Sequence, residues 1–270
     1  AVNWVCRNAK IMIFIAPAFW VAFEYARAHL FTGFPWELLG YSQFRVLPLI
    51  QMADVLGVYG VSFLVVMGNT IIFLIYLSLS GRTWKGHLVH KKHIVIPLIG
   101  FFIILTGAWG YGVWRMGGIE KAMAAAPVKR VAVIQGNISQ QMKWDPAFQT
   151  ATIDRYIELS QKEAESGPHL IVWPETATPF YLRTRFKEIQ LINQLIDSVN
   201  IYLLTGSPDY LYWKQENEVF TYNAAFFFRP NTLKFESYYK LALVPGSETI
   251  PFKIWFPLLR NIDVGGGNFY

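Results

Sequence analysis

The chain has 270 residues, 53% hydrophobic and 16% charged, with a formal net charge of +6 and a mean hydropathy of +0.29. It is more apolar than an ordinary soluble domain, and its length suggests two regions. The basic excess is of the kind that membrane proteins carry in cytoplasmic loops, and neither zinc-finger spacing nor an RNA-binding signature supports a nucleic-acid partner. The single cysteine, Cys6, excludes an internal disulfide and a multi-cysteine metal site.

The chain starts at Ala1 with no initiator Met or signal-peptide pattern, and it ends in the turn-rich stretch 261–270. Both ends are therefore expected to be cuts in a longer protein. Residues 1–127 hold three apolar stretches, at about 11–30, 55–80 and 94–114. A helix needs ~20 apolar residues to cross ~30 Å of hydrocarbon. The second and third stretches carry no charge and qualify outright. The first carries Glu24 and Arg27, three apart on one helix face, where they could neutralise each other. A structural pair near the outer interface is expected there.

Loop charges set the orientation. The loop 81–93 carries the basic residues Arg82, Lys85, Lys91 and Lys92, whereas 31–54 carries one basic residue, Arg45. The positive-inside rule places 81–93 in the cytoplasm, along with Arg7 and Lys10, and 31–54 outside. The third helix then runs outward, and everything after Arg115 lies on the far side, the periplasm in a diderm bacterium. His87, His90 and His93 are spaced like ligands, but lysines that would repel a cation are interleaved with them. The loop 30–43 is dense in Gly, Pro and aromatics. It reads either as an interfacial aromatic belt or as an outer loop shaping a lipid-facing entrance.

From Val128 the apolar runs shorten. Residues 130–135 read as a buried strand, followed by a helix around Ile153–Ala164 that stops at Gly167-Pro168. A strand at 170–173, a helix over 186–199 and a strand at 202–206 come next. Runs 221–228 and 233–239 flank Arg229-Pro-Asn-Thr232, a hairpin signal. Strands alternating with helices predict an α/β sheet, whose ligands collect outside the carboxyl ends of the strands. Glu175 follows Trp173-Pro174 at such an edge, and Lys240 follows the last strand-like run. Buried beside aromatics, Glu175 would have a raised pKa and suit a general base. Lys240 could stabilise an oxyanion. A base and a cation call for a nucleophile, and cysteine is the natural third member. An ordinary surface acid and an ordinary surface lysine remain an open reading of the same two residues.

Several motifs occur together and in order. The first half has Pro17, Trp20, Glu24, Arg27, Thr32-Gly-Phe-Pro-Trp36, Gly40-Tyr-Ser-Gln43 and Gly57-Val-Tyr-Gly-Val-Ser-Phe63. The second half has Gln135-Gly-Asn-Ile138, Lys143-Trp144, Trp173-Pro-Glu-Thr-Ala177, Tyr222-Asn-Ala224, Tyr239-Lys240, Leu243-Val-Pro245, Glu248 and Pro251. In these the chain resembles the apolipoprotein N-acyltransferases, a membrane branch of the nitrilase superfamily.

The resemblance implies membrane helices followed by a nitrilase-like α-β-β-α sandwich, incomplete here, with residues 128–270 as a periplasmic catalytic domain of an inner-membrane protein. It implies a Glu-Lys-Cys site in which Glu175 is the base, Lys240 the oxyanion stabiliser and Glu248 a supporting glutamate. Trp144 looks like a tryptophan near the substrate entrance, or else a core aromatic. The family commonly reads Val-Pro-Phe-Gly-Glu where this chain has Val244-Pro-Gly-Ser-Glu248, which alters the loop before Glu248. The implied substrates are a phospholipid acyl donor and the diacylglyceryl-cysteine of an apolipoprotein, with the bilayer as setting and no cofactor or metal. The family's nucleophilic cysteine lies beyond Tyr270, so residues 1–270 alone are expected to be inactive. A membrane-tethered amidase of the same superfamily and a non-catalytic lipid-binding or assembly module are the competing readings.

Overall fold

A computed structural model describes residues 9–30, 33–84, 87–213, 218–245 and Glu248, with the side chains of 9, 10, 87, 88, 92, 93, 140, 141 and 218 left aside. Cys6, Arg7, Thr32, Lys85, Pro251 and the segment 261–270 lie outside the described residues, as do the side chains of Lys10, Lys92, His87 and His93. The chain divides into two compact units, Ala1–Ala126 and Pro127–Tyr270.

In the first unit, α1 (Ala9–His29), the short α2 (Leu47–Ile50), α3 (Ala53–Ser80) and α4 (Lys92–Ala125) are joined by loops and by a small hairpin of β1 (Thr83–Trp84) and β2 (His87–Leu88). Three helices are long and apolar enough to cross a membrane. Side chains such as Ile72, Leu79, Ile96, Ile103 and Trp114 are exposed on them, the inverse of a helix built for water. The first stretch is the helix that the sequence predicts. The third runs eleven residues past Trp114, because Arg115 to Ala125 keep helical propensity after the apolar run ends.

Glu24 and Arg27 do not pair with each other. Buried Glu24 accepts from Trp20 Nε1 at 2.9 Å and from the Leu39 amide at 2.7 Å. Arg27 donates to the carbonyls of Trp36 and Glu37 at 2.9 and 3.3 Å. The loop's free backbone groups are the better partners because they have no ladder of their own, so the two charges pin residues 36–39 onto α1. Ser62 of α3 completes the fastening by accepting from the Gly40 amide at 2.8 Å. A Cβ at Gly40 would lie 2.6 Å from the Val58 carbonyl, which explains a glycine there.

In the second unit, five strands form one mixed sheet in the order β3-β4-β5-β6-β7: Val131–Val133, Leu170–Val172, Tyr202–Trp213, Glu218–Phe228 and Phe235–Tyr239. The first three are parallel and the last three antiparallel. The helix α6 (Gln149–Ala164) joins β3 to β4 and α7 (Phe186–Val199) joins β4 to β5, so the parallel part is two strand–helix–strand units. Ile153, Tyr156, Ile192 and Ile196 of these helices share one core with Ile171, Trp173, Leu203, Phe226 and Phe228 of the sheet. Strand alternation leaves the other face to Val133, Leu204, Ala225 and Tyr238.

Both helices and the β6–β7 hairpin fall where the periodicity places them. Two strands do not. The first is an edge strand with Val133 75% exposed, not a buried one, because only β4 pairs with it among the described residues. The third continues to Trp213, because its antiparallel partner β6 keeps pairing from Leu203↔Phe228 to Trp213↔Glu218. One sheet of the expected four-layer sandwich is found among the described residues.

Candidate active site

Four side chains from four places meet beyond the ends of β4 and β7 and beside the middle of β6. Lys240, the residue after β7, donates to Glu175 Oε1 at 3.1 Å and to Glu248 Oε1 at 2.8 Å. Asn223 of β6 donates Nδ2 to the same two oxygens at 2.5 and 2.9 Å. The Val244 amide holds Glu248 Oε2 at 2.8 Å. The sequence reading missed Asn223 as a site residue; its motif Tyr222-Asn-Ala224 was visible, but nothing local says that the amide would face two carboxylates.

The cluster is graded in exposure. The Glu248 side chain is 13% exposed, Lys240 31% and Glu175 62%. The expectation that Glu175 is buried beside aromatics is therefore corrected: it borders solvent, and its partners are a cation and an amide. At Glu248 burial opposes ionisation, but the hydrogen bonds from Lys240, Val244 and Asn223 outweigh it and hold the carboxyl below its ordinary range. At Lys240 burial favours the neutral amine, yet the two glutamates overcome it and raise the pKa. The site thus holds the Lys240 cation against the Glu248 carboxylate, with the Glu175 side chain within hydrogen-bond reach of both Lys240 and Asn223.

The turn carrying Glu175 is built tightly. Trp173 is buried, stacks on Tyr156 at 5.1 Å and donates to Ser160 Oγ at 2.8 Å. This anchors the end of β4. Pro174 follows, and Thr176 then takes a φ of +53°, which is strained for a β-branched residue and costs about 1–3 kcal/mol. The turn lies directly on β5 at Gly206, whose amide donates to the Pro174 carbonyl at 3.2 Å. A Cβ at Gly206 would sit 2.6 Å from Glu175 Cα and 2.7 Å from the Thr176 nitrogen. Gly206→Ala should therefore push the Glu175 turn outward, costing about 2 kcal/mol of stability and about 100-fold in turnover. Thermal unfolding and single-turnover kinetics check it; unchanged kinetics would show that the turn does not position Glu175.

On the helix side of the sheet lies a second polar network. Asp209 of β5 is fully buried and is gripped by Arg183 through Nε at 3.0 Å and Nη2 at 2.6 Å. Tyr239 donates its hydroxyl to Asp209 at 3.0 Å and stacks on Tyr222 at 4.4 Å. Tyr239 and Tyr222 are the immediate neighbours of Lys240 and Asn223. Because side chains alternate along a strand, fixing the tyrosines on one face aims the lysine and the amide on the other.

Trp144 is not among the four. It is 43% exposed at the C-terminal end of α5 (Gln140–Lys143), with Lys143 5.9 Å from its ring, so it is not a core aromatic. Glu175 borders two cavities. One, of about 290 Å³, is lined by Leu204, Gly206, Asn223, Ala225, Tyr238 and Lys240. The other, of about 300 Å³, is lined by Gln135, Asn137, Lys143, Thr152 and Tyr156. Among the described residues no group of three or more His, Cys, Asp or Glu is placed to hold a metal.

Two family models match the chain: an apolipoprotein N-acyltransferase N-terminal domain over residues 1–71 and a carbon-nitrogen hydrolase over 130–263. An apolipoprotein N-acyltransferase of Geobacter metallireducens is 38% identical over 94% of this chain and 46% of its own length. One from Coxiella burnetii is 34% identical over 79% of this chain and 40% of its own. One from Pseudomonas aeruginosa is 33% identical over 91% and 43%. The chain thus spans about half the length of the curated relatives it matches. Among solved structures, a carbon-nitrogen hydrolase from Helicobacter pylori G27 aligns with a TM-score of 0.33 at 13% identity, covering 44% of this chain and 41% of that one.

Proposed function

We propose that this chain, which belongs to the apolipoprotein N-acyltransferase family, carries the base and the oxyanion stabiliser of an acyl-transfer enzyme of the bacterial inner membrane. The observation that carries the reading is Lys240, held at 3.1 Å from Glu175 and 2.8 Å from Glu248. A cation so placed can follow a developing negative charge without reorganising.

In this mechanism Glu175 takes the proton from a cysteine thiol. The resemblance assigns that thiol to a position after Tyr270 and not to Cys6, the single cysteine of residues 1–270. The thiolate attacks the sn-1 ester carbonyl of a phospholipid, and Lys240 stabilises the oxyanion. Collapse breaks the ester C–O bond, and the proton on Glu175 goes to the departing lysophospholipid oxygen. A thioester remains. The α-amine of a diacylglyceryl-cysteine then attacks it, the amide bond forms, and the thiolate leaves as Glu175 accepts the amine's surplus proton. Glu248 and Asn223 hold Lys240 and Glu175 in register and undergo no covalent change.

Both substrates are lipids, and confinement to the bilayer raises their effective concentration. That gives a physical reason for joining apolar helices to an α/β unit. The basic charge of loop 81–93 supports an orientation with that loop in the cytoplasm and the α/β unit on the periplasmic side. Trp144 is assigned to the substrate entrance.

The test uses the intact protein in detergent with a phospholipid labelled in its acyl chain. The expected result is a hydroxylamine-labile label on the protein that chases onto a diacylglyceryl-cysteine peptide. Release of ammonia from small amides, with no labelled protein, would instead establish the amidase reading. Residues 1–270 alone should form no labelled protein.

A further inference from the structure

Lys143 has a setting that the proposed roles do not use. It closes α5 on the wall of the 300 Å³ cavity that Glu175 borders. It is half-buried, and among the described residues its ammonium has only the Trp144 ring, at 5.9 Å, and no hydrogen bond or ion pair. Burial pushes its pKa down, with the field of Glu175 pushing back. A partly desolvated cation whose one acidic neighbour on the wall is already bound by Lys240 and Asn223 is costly unless a ligand supplies a counter-charge.

The cavity wall is built rather than incidental. Gly136 packs so closely on buried Tyr156 that a Cβ there would meet the ring at 2.8 Å. Asn137 follows in a left-handed conformation, φ +54°. Gln135, Asn137 and Thr152 add neutral hydrogen-bonding groups. Glu175 is the one acidic residue lining this wall, and it is engaged by Lys240 and Asn223.

We propose that this cavity is the phosphate subsite for the acyl donor, with Lys143 as the cation that pairs with the lipid's anionic phosphodiester. The inference rests on the acyl-transfer reading. In a glycerophospholipid the phosphate lies only a few bonds from the ester to be cleaved. An ester at Glu175 and Lys240 therefore brings its phosphate within reach of the neighbouring cavity. Lys143 is a specificity residue and takes no part in bond making.

The experiment follows thioester formation in the intact protein in mixed micelles with two donors: a phosphatidylglycerol, and the same lipid with its phosphate methylated to a neutral triester. Wild type should show a KM about tenfold lower for the anionic donor. Lys143→Gln should raise the KM for that donor about tenfold, leave the neutral donor and kcat within about twofold, and so erase the discrimination. Lys143→Arg should restore it. Transfer from preformed thioester to the peptide amine should be unaffected. Retained discrimination in Lys143→Gln, or an equal KM rise for both donors, overturns the subsite while leaving the acyl-transfer reading intact. No thioester from either donor in wild type overturns both.

Discussion

Glu175→Gln in the intact protein should lower thioester formation about 1000-fold with little change in the KM for the phospholipid. The substitution keeps the shape and an oxygen for Asn223 and Lys240, but removes the group proposed to accept the thiol proton. Lys240→Met should lower the same step about 100- to 1000-fold by leaving the oxyanion without its cation. The double variant should be little worse than the weaker single variant, because base and cation act on one transition state. Single-turnover labelling checks all three. Retained N-acylation in both single variants would remove these residues from the mechanism. If they are instead ordinary surface charges, the effect should be confined to stability and stay near the 0–1 kcal/mol of an exposed ion pair.

Asp209→Ala should destabilise the protein by about 3–5 kcal/mol. The carboxylate is fully buried, and its loss strands the Arg183 guanidinium and the Tyr239 hydroxyl together. Arg183 is itself partly exposed, and water reaching it places the expected cost toward the lower end of that range. Asp209→Asn keeps the shape and one acceptor oxygen, enough for the Tyr210 amide and Arg183 Nε that now donate to Oδ1 at 2.9 and 3.0 Å, but sets an NH2 against Arg183 Nη2 and Tyr239, so it should cost less than the alanine variant without matching wild type. Thermal or denaturant unfolding measures both. An alanine variant within about 0.5 kcal/mol of wild type would show that Arg183 and Tyr239 find water or other partners. Because Tyr239 is followed at once by Lys240, the alanine variant should also slow thioester formation. The asparagine variant separates that effect from global unfolding.

Much of the second unit was legible because its elements follow local rules. The helix 186–199 carries apolar residues at helical spacing, and its observed bounds coincide with that pattern. The β6–β7 hairpin was marked by Arg229-Pro-Asn-Thr232, and Asn231 adopts the positive φ, +62°, that such turns use. The length of β5 was not legible, because residues 207–213 mix Pro, Asp and aromatics and are held as a strand by the facing β6. The fates of Glu24 and Arg27 were also misjudged. Their spacing permitted a pair, but the carbonyls and amide that claim them belong to a loop folded back from nine or more residues away.

The site divides the same way. Glu175 and Lys240 could be singled out as charges at strand ends, and Glu248 and Trp144 by motif. Sequence by itself determined the apolar helices and the strand–helix alternation, since these depend on residue type at short spacing, and it carried the resemblance to the family through motifs that keep their order along the chain. Tertiary structure alone decided that Asn223 joins the cluster, that Gly206 must be bare beneath the Glu175 turn, that Asp209 braces the strand before Lys240, and that Trp144 stands apart. The physical reason is sheet register. Residues 65 positions apart, Glu175 and Lys240, come within hydrogen-bond reach only because the paired strands of one sheet bring their ends together, and no local pattern encodes that distance.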